Sequence, residues 1–314
     1  MRIAVLDDYQ QVARRFGSWE RLPSGSELTV FHDHLADHDA VIQRLLPFEV
    51  VVAMRERTPF PRAVLAALPN LRLLVTTGMG NAAIDLAATK ALGITVAGTG
   101  GVAPATAELT WGLILAVARH IPEEDGNVRG GGWQRTVGVD LAGRTLGVIG
   151  LGNLGKRVAA VGLAFGMEVI AWSQNLMPGP AAAVGVLAVS KEELLRRADI
   201  VTIHLRLSER TLGLLGEAEL RLLKPTALLV NTSRGPIVDE AALLAALFEG
   251  RIAGAGLDVY DVEPLPAGHP LRTAPRTVLT PHLGYVTEAT YEVFYHHAVD
   301  DIIAFAGGAP IRTL

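Results

Sequence analysis

Cysteine is absent from the 314 residues of this sequence. That absence excludes disulfide bonds, thiolate nucleophiles and any zinc or iron–sulfur site held by cysteine. Positive charge is not in excess either, because 28 Lys and Arg stand against 32 Asp and Glu, which leaves a net charge of −4. A chain with this balance has no polybasic groove for nucleic acid and no polybasic patch for a membrane surface. We therefore expect neither partner.

Long apolar runs are also missing. Only four apolar residues, Ile3 to Leu6, come between Arg2 and the acidic pair Asp7 and Asp8. A signal peptide needs a longer apolar stretch, and no window approaches the ~18 uninterrupted apolar residues of a membrane-spanning helix. These features predict a cytoplasmic protein.

Aromatic residues make up only 5% of the sequence, whereas half of it is hydrophobic and 33 residues are glycine. Small and aliphatic side chains therefore fill the interior, which suits parallel strands buried beneath helices on both faces. At roughly 150 residues per domain, the length predicts two domains.

Short apolar runs alternate with helix-like stretches, and this alternation is typical of a parallel α/β sheet. The candidate strands are Ile3–Leu6, Leu28–Phe31, Val50–Met54, Leu71–Val75 and Ile94–Val96, and then Thr145–Ile149, Glu168–Trp172, Ile200–Leu205, Ala227–Asn231, Gly254–Asp258 and Val278–Leu279. We also expect a long helix over residues 103–121, a glycine-rich loop over residues 126–138 that contains Trp133, and a last helix over residues 287–305.

A G-x-G-x-x-G pattern directly follows the strand at 145–149 and opens a helix, and this context is typical of a dinucleotide-binding fold. Gly150 permits the tight turn, Gly152 lets the backbone approach a pyrophosphate, and Gly155 lets the helix pack on the strand. The intervening Asn153 and Leu154 place unpaired N–H groups at the helix start, where they can bind phosphate. A purely structural glycine turn is the alternative.

The next strand ends in Ser173, Gln174 and Asn175, without the acidic residue that would hold the adenosine ribose. The carboxylate that rejects a 2′-phosphate is thus missing, so we expect NAD or NADP with weak discrimination. Arg206 can approach the adenosine from the loop that follows His204, although a solvated surface arginine is an equal alternative. His204 itself ends a strand and is interpreted as a wall of the cofactor pocket.

Three blocks in the last third of the sequence carry a family resemblance. They are Asn-Thr-Ser-Arg-Gly-Pro-Ile-Val-Asp at residues 231–239, Leu-Asp-Val-Tyr-Asp-Val-Glu-Pro at residues 257–264 and Thr-Pro-His-Leu-Gly at residues 280–284. Residues 141–150 and 164–167 match as well. In this order the blocks resemble the D-isomer-specific 2-hydroxyacid dehydrogenases, over nearly the whole chain.

The resemblance implies an α/β fold in which one domain is inserted into another. A Rossmann NAD(P)-binding domain at residues 100–285 would lie within a smaller flavodoxin-like substrate domain formed by residues 1–99 and 286–314. It also implies a homodimer that forms largely through the cofactor domains. The substrate would be a small D-2-hydroxy acid or 2-keto acid.

The chemistry of 2-keto acid reduction accounts for three residues in these blocks. Arg234 can grip carboxylate and carbonyl oxygens together with its planar guanidinium. His282 can protonate the nascent alkoxide at neutral pH, or act as base in the reverse direction. Glu263 can hold the imidazole and favour its protonated form. A structural ion pair for Arg234 and an exposed loop charge for Glu263 are the alternatives.

The resemblance also implies the remaining contacts. Cofactor contacts are expected from Thr232, Ser233, Asp258 and Gly284, together with Arg234 and His282. Substrate contacts are expected from the turn Gly78, Met79 and Gly80, whose backbone can meet a carboxylate, and from Arg55 at a strand end, which is otherwise a lone charge. The histidines at 32, 34 and 38 suggest a metal site, but relatives need no metal, so none is predicted.

Two other functions stay open at this point. Formate dehydrogenases share the fold but generally pair the histidine with glutamine, so Glu263 disfavours them; short phosphoglycerate dehydrogenases remain possible. A cofactor-sensing corepressor-like binding module is the alternative from another class, since such corepressors keep the same three residues. Arg234, Glu263 and His282 together favour catalysis.

Overall fold

A computed structural model describes residues 1–102 and 104–314 of the chain. The chain forms two compact units. Unit 1 comprises Met1–Val102 with Val286–Leu314, and unit 2 comprises Ala103–Tyr285. Residue 103, where the sequence predicted the start of a long helix, lies outside the described residues.

Unit 1 is built on a five-stranded parallel sheet. Its strands are β1 (Arg2–Val5), β2 (Glu27–Val30), β3 (Val50–Ala53), β4 (Leu73–Thr76) and β5 (Thr95–Gly98), in the order β2-β1-β3-β4-β5. Every residue of β3 and β4 is buried, as expected for central strands covered on both faces. The strand order is that of flavodoxin-like folds, which confirms the predicted fold class.

Short helices accompany this sheet. They are α1 (Ala13–Phe16), α2 (His38–Leu45), α3 (Arg62–Ala66), α4 (Leu86–Ala91) and the last helix of the chain, Glu288–Ala306, with a 3₁₀ turn at Trp19–Arg21. Asp37 and Asp85 begin α2 and α4 by accepting a backbone N–H three residues on, because their short carboxylates satisfy an otherwise unpaired donor.

Unit 2 is built on a seven-stranded parallel sheet. Its strands are β6 (Thr145–Ile149), β7 (Glu168–Trp172), β8 (Leu187–Ala188), β9 (Ile200–Ile203), β10 (Leu228–Asn231), β11 (Gly254–Leu257) and β12 (Thr277–Leu279), in the order β12-β11-β10-β9-β6-β7-β8. The order reverses between β6 and β9, which is the Rossmann arrangement. Alternate residues face opposite helix layers: Leu229 packs in one core cluster, and Leu228 and Val230 pack in the other.

The helices of unit 2 lie on the two faces of this sheet. They are α5 (Ala105–Ala118), α6 (Ile121–Arg129), α7 (Asn153–Ala164), α8 (Pro178–Ala182), α9 (Lys191–Arg197), α10 (Glu217–Leu220) and α11 (Glu240–Phe248), with 3₁₀ turns at Gly235–Ile237 and Pro270–Thr273.

The predicted long helix over residues 103–121 is wrong in one respect, because two helices occupy this region. His120 has a left-handed backbone with φ 52°, which ends α5 and redirects the chain into α6. The glycine-rich loop was predicted to begin at Gly126, yet α6 continues to Arg129. A single glycine costs a helix about 1 kcal/mol, and the neighbouring helical turns outweigh that cost here. Within the described residues, no helix is long and apolar enough to cross a membrane.

Candidate active site

The three residues proposed for the chemistry all follow neighbouring strands of unit 2. Arg234 comes three residues after β10, Glu263 lies in the loop after β11, and His282 follows β12. These strands are adjacent and parallel, so their carboxyl ends lie along one edge of the sheet. That edge is where ligands bind in open α/β sheets.

His282 and Glu263 are in direct contact. Nδ1 of the His282 imidazole lies 2.5 Å from Oε2 of Glu263, and both side chains are about one-fifth to one-quarter exposed, at 18% and 26%. The other carboxylate oxygen accepts the backbone N–H of Tyr260 at 3.0 Å, which fixes the orientation of Glu263. Since Nδ1 is engaged, Nε2 is the ring nitrogen left for proton transfer.

Asp258 holds the segments on both sides of His282, through a side-chain hydroxyl before it and two backbone N–H groups after it. It is fully buried, and its two oxygens accept the Thr280 hydroxyl at 2.6 Å and the N–H groups of Leu283 at 2.7 Å and Gly284 at 2.9 Å. Burial raises the pKa of the Asp258 carboxyl, against the lowering effect of these donors. His282 has φ 55°, an unusual backbone for a non-glycine residue, and this clamp keeps it there.

Arg234 extends from a tightly bonded turn. The buried Asn231 accepts the Ser233 N–H at 3.0 Å and donates to the Arg234 carbonyl at 2.9 Å, while the guanidinium donates to the Ser233 carbonyl at 2.7 Å. A Cβ on the next residue, Gly235, would lie 2.1 Å from the carbonyl carbon of Tyr260. The turn that carries Arg234 is therefore packed against the segment that orients Glu263.

The glycine turn between β6 and α7 has the geometry of a dinucleotide cradle. Gly150 has φ 100°, and a Cβ on Gly155 would lie 2.0 Å from the Gly150 carbonyl oxygen, so both positions require glycine. At Gly152 no described atom lies within 4 Å of the Cβ position, and among the described residues no side chain caps α7. Open space in front of uncapped N–H groups, with Asn153 exposed beside it, fits a pyrophosphate.

The residues expected at the adenosine are accessible. Ser173 is half-buried after β7, and Gln174 and Asn175 are exposed. Arg206 is exposed as well, and its carbonyl accepts the Thr211 hydroxyl at 2.7 Å. Their polar side chains are thus available to a ligand.

His204 adjoins the glycine turn. Its N–H donates to the Ile149 carbonyl at 2.7 Å, and its own carbonyl oxygen lies 2.6 Å from the position of a Cβ on Gly150. Nε2 pairs with the Thr202 hydroxyl at 2.9 Å, while Nδ1 is buried without a partner among the described residues. Burial lowers the pKa of His204 to about 3, so the ring is neutral at physiological pH.

In unit 1, the expected substrate turn is organised around Arg55. The guanidinium donates to the Thr77 carbonyl at 3.0 Å, and a Cβ on Gly78, where φ is 90°, would lie 1.8 Å from Nη1 of Arg55. The N–H of Gly78 already donates to the Thr99 hydroxyl at 2.8 Å. Met79 follows with 55% exposure, and Gly80 is exposed too.

Two of the three histidines considered for a metal site, His32 and His34, have carboxylate partners, as does the nearby Arg44. His34 pairs with Asp7 at 2.9 Å, His32 lies 3.5 Å from Asp8, and Asp33 pairs with Arg44. In the part of the chain that the structure describes, no group of three or more potential ligands could hold a metal ion.

Sequence reasoning missed the residues that support the site. Asn231 and Tyr260 lie inside the blocks at residues 231–239 and 257–264, but their hydrogen bonds could not be predicted from those blocks. Asn231 donates to the Arg234 carbonyl. Tyr260 donates its N–H to Glu263 and its hydroxyl to the Thr280 carbonyl. Thr106 and Thr110 lie four residues apart on α5, and neither belongs to a recognisable sequence motif. Their spacing on one helix face was the only available sign.

Comparisons with known proteins identify the family of this chain. The family profile described as D-isomer specific 2-hydroxyacid dehydrogenase, NAD binding domain, matches residues 111–284. A glyoxylate reductase from Aeropyrum pernix is 44% identical over 78% of this chain and 76% of its own length. A D-3-phosphoglycerate dehydrogenase from Archaeoglobus fulgidus is 36% identical over 87% of this chain but only 52% of its own length.

A crystal structure of a phosphoglycerate oxidoreductase from Vibrio cholerae has a TM-score of 0.94 at 40% identity, covering 98% of this chain and all of that one. The predicted family resemblance and Rossmann fold are thereby confirmed, and NAD or NADP fits as cofactor. The comparisons give no support to the corepressor alternative. The chain belongs to the D-isomer-specific 2-hydroxyacid dehydrogenases, the NAD(P)-dependent oxidoreductases that transfer a hydride between a nicotinamide cofactor and a 2-hydroxy or 2-keto acid.

Proposed function

We propose that this protein reduces a small 2-keto acid of the glyoxylate or hydroxypyruvate class to its D-2-hydroxy acid, with His282 as the proton donor. The observation that carries the proposal is the 2.5 Å contact between Nδ1 of His282 and Glu263 at the carboxyl edge of the sheet. The glyoxylate reductase among the similar proteins supports the substrate class.

Unit 2 is assigned to the cofactor. Gly150, Gly152, Asn153, Leu154 and Gly155 would hold the pyrophosphate at the start of α7. The adenosine end would lie at Ser173, Gln174 and Asn175, with His204 and Arg206 beside it, and the nicotinamide end at Thr232, Ser233, Asp258 and Gly284. When bound, the reduced cofactor supplies the hydride.

The residues of the chain supply binding and the proton. Arg234 binds the substrate carboxylate and orients the keto oxygen through its planar fork. His282, protonated at Nε2, donates that proton to the oxygen as negative charge develops there. Glu263 accepts a hydrogen bond from Nδ1–H throughout the reaction. This bond fixes the orientation of the ring and stabilises the imidazolium. In the oxidation direction the neutral imidazole takes the hydroxyl proton.

Unit 1 is assigned to substrate binding, through Arg55, Gly78, Met79 and Gly80. The Gly78 N–H already donates to Thr99, so Gly78 shapes the turn. The backbone N–H groups of Met79 and Gly80 are the ones we assign to binding the substrate carboxylate. The Arg55 guanidinium beside Gly78 adds a positive charge to the turn.

We also propose that the protein acts in the cytoplasm as a homodimer, as the sequence resemblance implies. The apolar surface of unit 2 supports self-association: Trp133 is 75% exposed, and Val137 is 91% exposed. Exposed apolar surface of this kind marks association sites.

The decisive experiment is a spectrophotometric assay of NADH and NADPH oxidation with glyoxylate, hydroxypyruvate, pyruvate and 3-phosphohydroxypyruvate. The proposal expects turnover of glyoxylate or hydroxypyruvate. A clear preference for 3-phosphohydroxypyruvate would instead assign the protein to the phosphoglycerate dehydrogenases. Tight cofactor binding without turnover of any keto acid would contradict an enzymatic role.

A further inference from the structure

Three threonines of unit 2 form a row of hydrogen bonds that passes through the backbone of Thr106. Thr106 and Thr110 lie one turn apart on α5, and Thr232 directly follows β10. Oγ1 of Thr110 lies 2.7 Å from the carbonyl oxygen of Thr106 and 2.8 Å from Oγ1 of Thr232. Oγ1 of Thr106 in turn lies 2.7 Å from the carbonyl oxygen of Gly284. The row therefore connects the segment after β10 with the segment after β12.

The direction of every proton in this row is fixed by chemistry. A carbonyl oxygen can only accept, so Thr106 donates to Gly284 and Thr110 donates to Thr106. A hydroxyl has one proton, which means that Thr110 has none left for Thr232. Two oxygens 2.8 Å apart repel each other unless a proton lies between them, so Thr232 must be the donor in that pair.

Burial keeps the row in this direction. Thr110 is fully buried and Thr232 is only 6% exposed, so solvent does not compete for their protons. If Thr110 donated to Thr232 instead, its oxygen would lie 2.7 Å from the Thr106 carbonyl oxygen with no proton between them. Two oxygens at that distance repel each other, so the reversed arrangement is costly.

We propose that Thr110 is a positioning residue that makes Thr232 a pure hydrogen-bond acceptor toward the nicotinamide end of the cofactor. The inference rests on the proposed function, which assigns Thr232 to that end. Because the single proton of Thr232 is committed to Thr110, only the lone pairs of its oxygen remain for a ligand. A carboxamide N–H satisfies such an acceptor, whereas a methyl ketone in the same place offers no donor.

The test compares the binding of NAD⁺ with that of 3-acetylpyridine adenine dinucleotide, in which an acetyl group replaces the carboxamide. Dissociation constants are measured by calorimetry without substrate, using the 2′-phosphorylated pair if the protein prefers NADP. The wild type is expected to bind the carboxamide form about tenfold more tightly, the ratio expected when one hydrogen bond is lost.

Thr110→Val removes the hydroxyl and keeps the shape of the side chain. Thr232 then regains its proton and can donate to the acetyl carbonyl, so the preference for the carboxamide form should fall to about threefold or less. Thr110→Ser restores the hydroxyl and should restore the wild-type ratio. Thr89→Val is the matched control, since Thr89 is also buried and donates to a helix carbonyl, that of Leu86, at 2.9 Å in α4 of unit 1.

The outcomes separate this inference from the proposed function. An unchanged ratio in Thr110→Val, with or without a lower melting temperature, overturns the inference and leaves the proposed function intact. If circular dichroism shows that Thr110→Val does not fold, Thr232→Val removes the acceptor directly and must abolish the preference. A wild type that binds neither dinucleotide overturns the proposed function itself, and the inference with it.

Discussion

Gly235 and Tyr260 pack backbone against backbone. A Cβ on Gly235 would lie 2.1 Å from the carbonyl carbon of Tyr260 and 2.4 Å from its oxygen. Gly235 follows Arg234 directly, and the Tyr260 N–H donates to Glu263. The spacing between the arginine and the glutamate that orients His282 is thus set by a residue without a side chain.

Gly235→Ala is therefore expected to damage both stability and activity. The added methyl meets backbone atoms, which cannot rotate away, so overpacking should cost ~1–3 kcal/mol of unfolding free energy. The displaced Arg234 turn should lower kcat/KM by about tenfold to 10²-fold. Denaturant unfolding and steady-state kinetics measure the two effects. Gly268→Ala, where no described atom lies within 4 Å of the Cβ position, serves as the control.

His282→Ala should lower kcat by about 10²-fold or more, the usual range for the loss of a general acid. Cofactor binding should persist, because His282 is only one of many expected cofactor contacts and its proton goes to the substrate oxygen. His296→Ala, an exposed histidine of the last helix, is the matched control and should retain full activity. A His282→Ala enzyme within a few-fold of wild type would assign the proton to another group.

Glu263→Gln tests the charge of the carboxylate with its shape retained. Reduction needs a proton on Nε2, and the carboxylate 2.5 Å from Nδ1 stabilises the imidazolium that carries it. Glutamine keeps an acceptor for Nδ1–H but removes the charge, so kcat for reduction should fall while cofactor binding persists. Steady-state kinetics and cofactor titration measure the two effects. An unchanged kcat would remove the charge of Glu263 from the mechanism.

Arg234→Lys keeps the positive charge and loses the planar fork. Because Arg234 is proposed to bind the keto acid before and during the reaction, KM should rise and kcat should fall together. Arg221→Lys, at the exposed residue that directly follows α10, should change neither constant. Wild-type kinetics in Arg234→Lys would exclude bidentate binding.

Cofactor choice is tested at Ser173. Without an acidic residue there, NADPH should be accepted, and Ser173→Asp should shift the kcat/KM ratio towards NADH by about tenfold or more, a difference of only ~1.4 kcal/mol. Arg206→Ala should weaken NADPH selectively, and by less at high salt, because the contact is between charges. Ser24→Asp in unit 1 makes the same charge change as a control. A wild-type preference for NADH above about a hundredfold would contradict the proposal.

The parts of the fold that rest on local pattern could be predicted from the sequence. Strands β6 and β7 have the predicted bounds, since buried parallel strands are continuous apolar runs. The glycine turn was predictable because the backbone conformation of Gly150 and the close contact between Gly155 and Gly150 involve only a few neighbouring residues. The break at His120 had one sequence signal, Pro122 in the first turn of α6, which the prediction of a single helix did not use.

The support of the candidate site was beyond the sequence for a different reason. Asp258 binds three donors from 22 to 26 residues away, and Thr110 meets Thr232 across 122 residues. Such pairs depend on how the strands and helices pack. In the sequence, neither Thr110 nor Thr232 can be distinguished from any other polar residue. The resemblance implies that Asp258 contacts the cofactor, but its bonds to the N–H groups of Leu283 and Gly284, which hold the backbone after His282, could not be predicted from the sequence.

The discontinuity of unit 1 has a consequence for synthesis on the ribosome. Its sheet is made from the first hundred residues, but the last helix, with Phe294, Tyr295 and Val299 buried, belongs to the same unit. Residues 103–285 must emerge from the exit tunnel before that helix exists. Throughout this interval the apolar surface that the helix covers stays open to chaperones and to other nascent chains, while unit 2 already has all its strands.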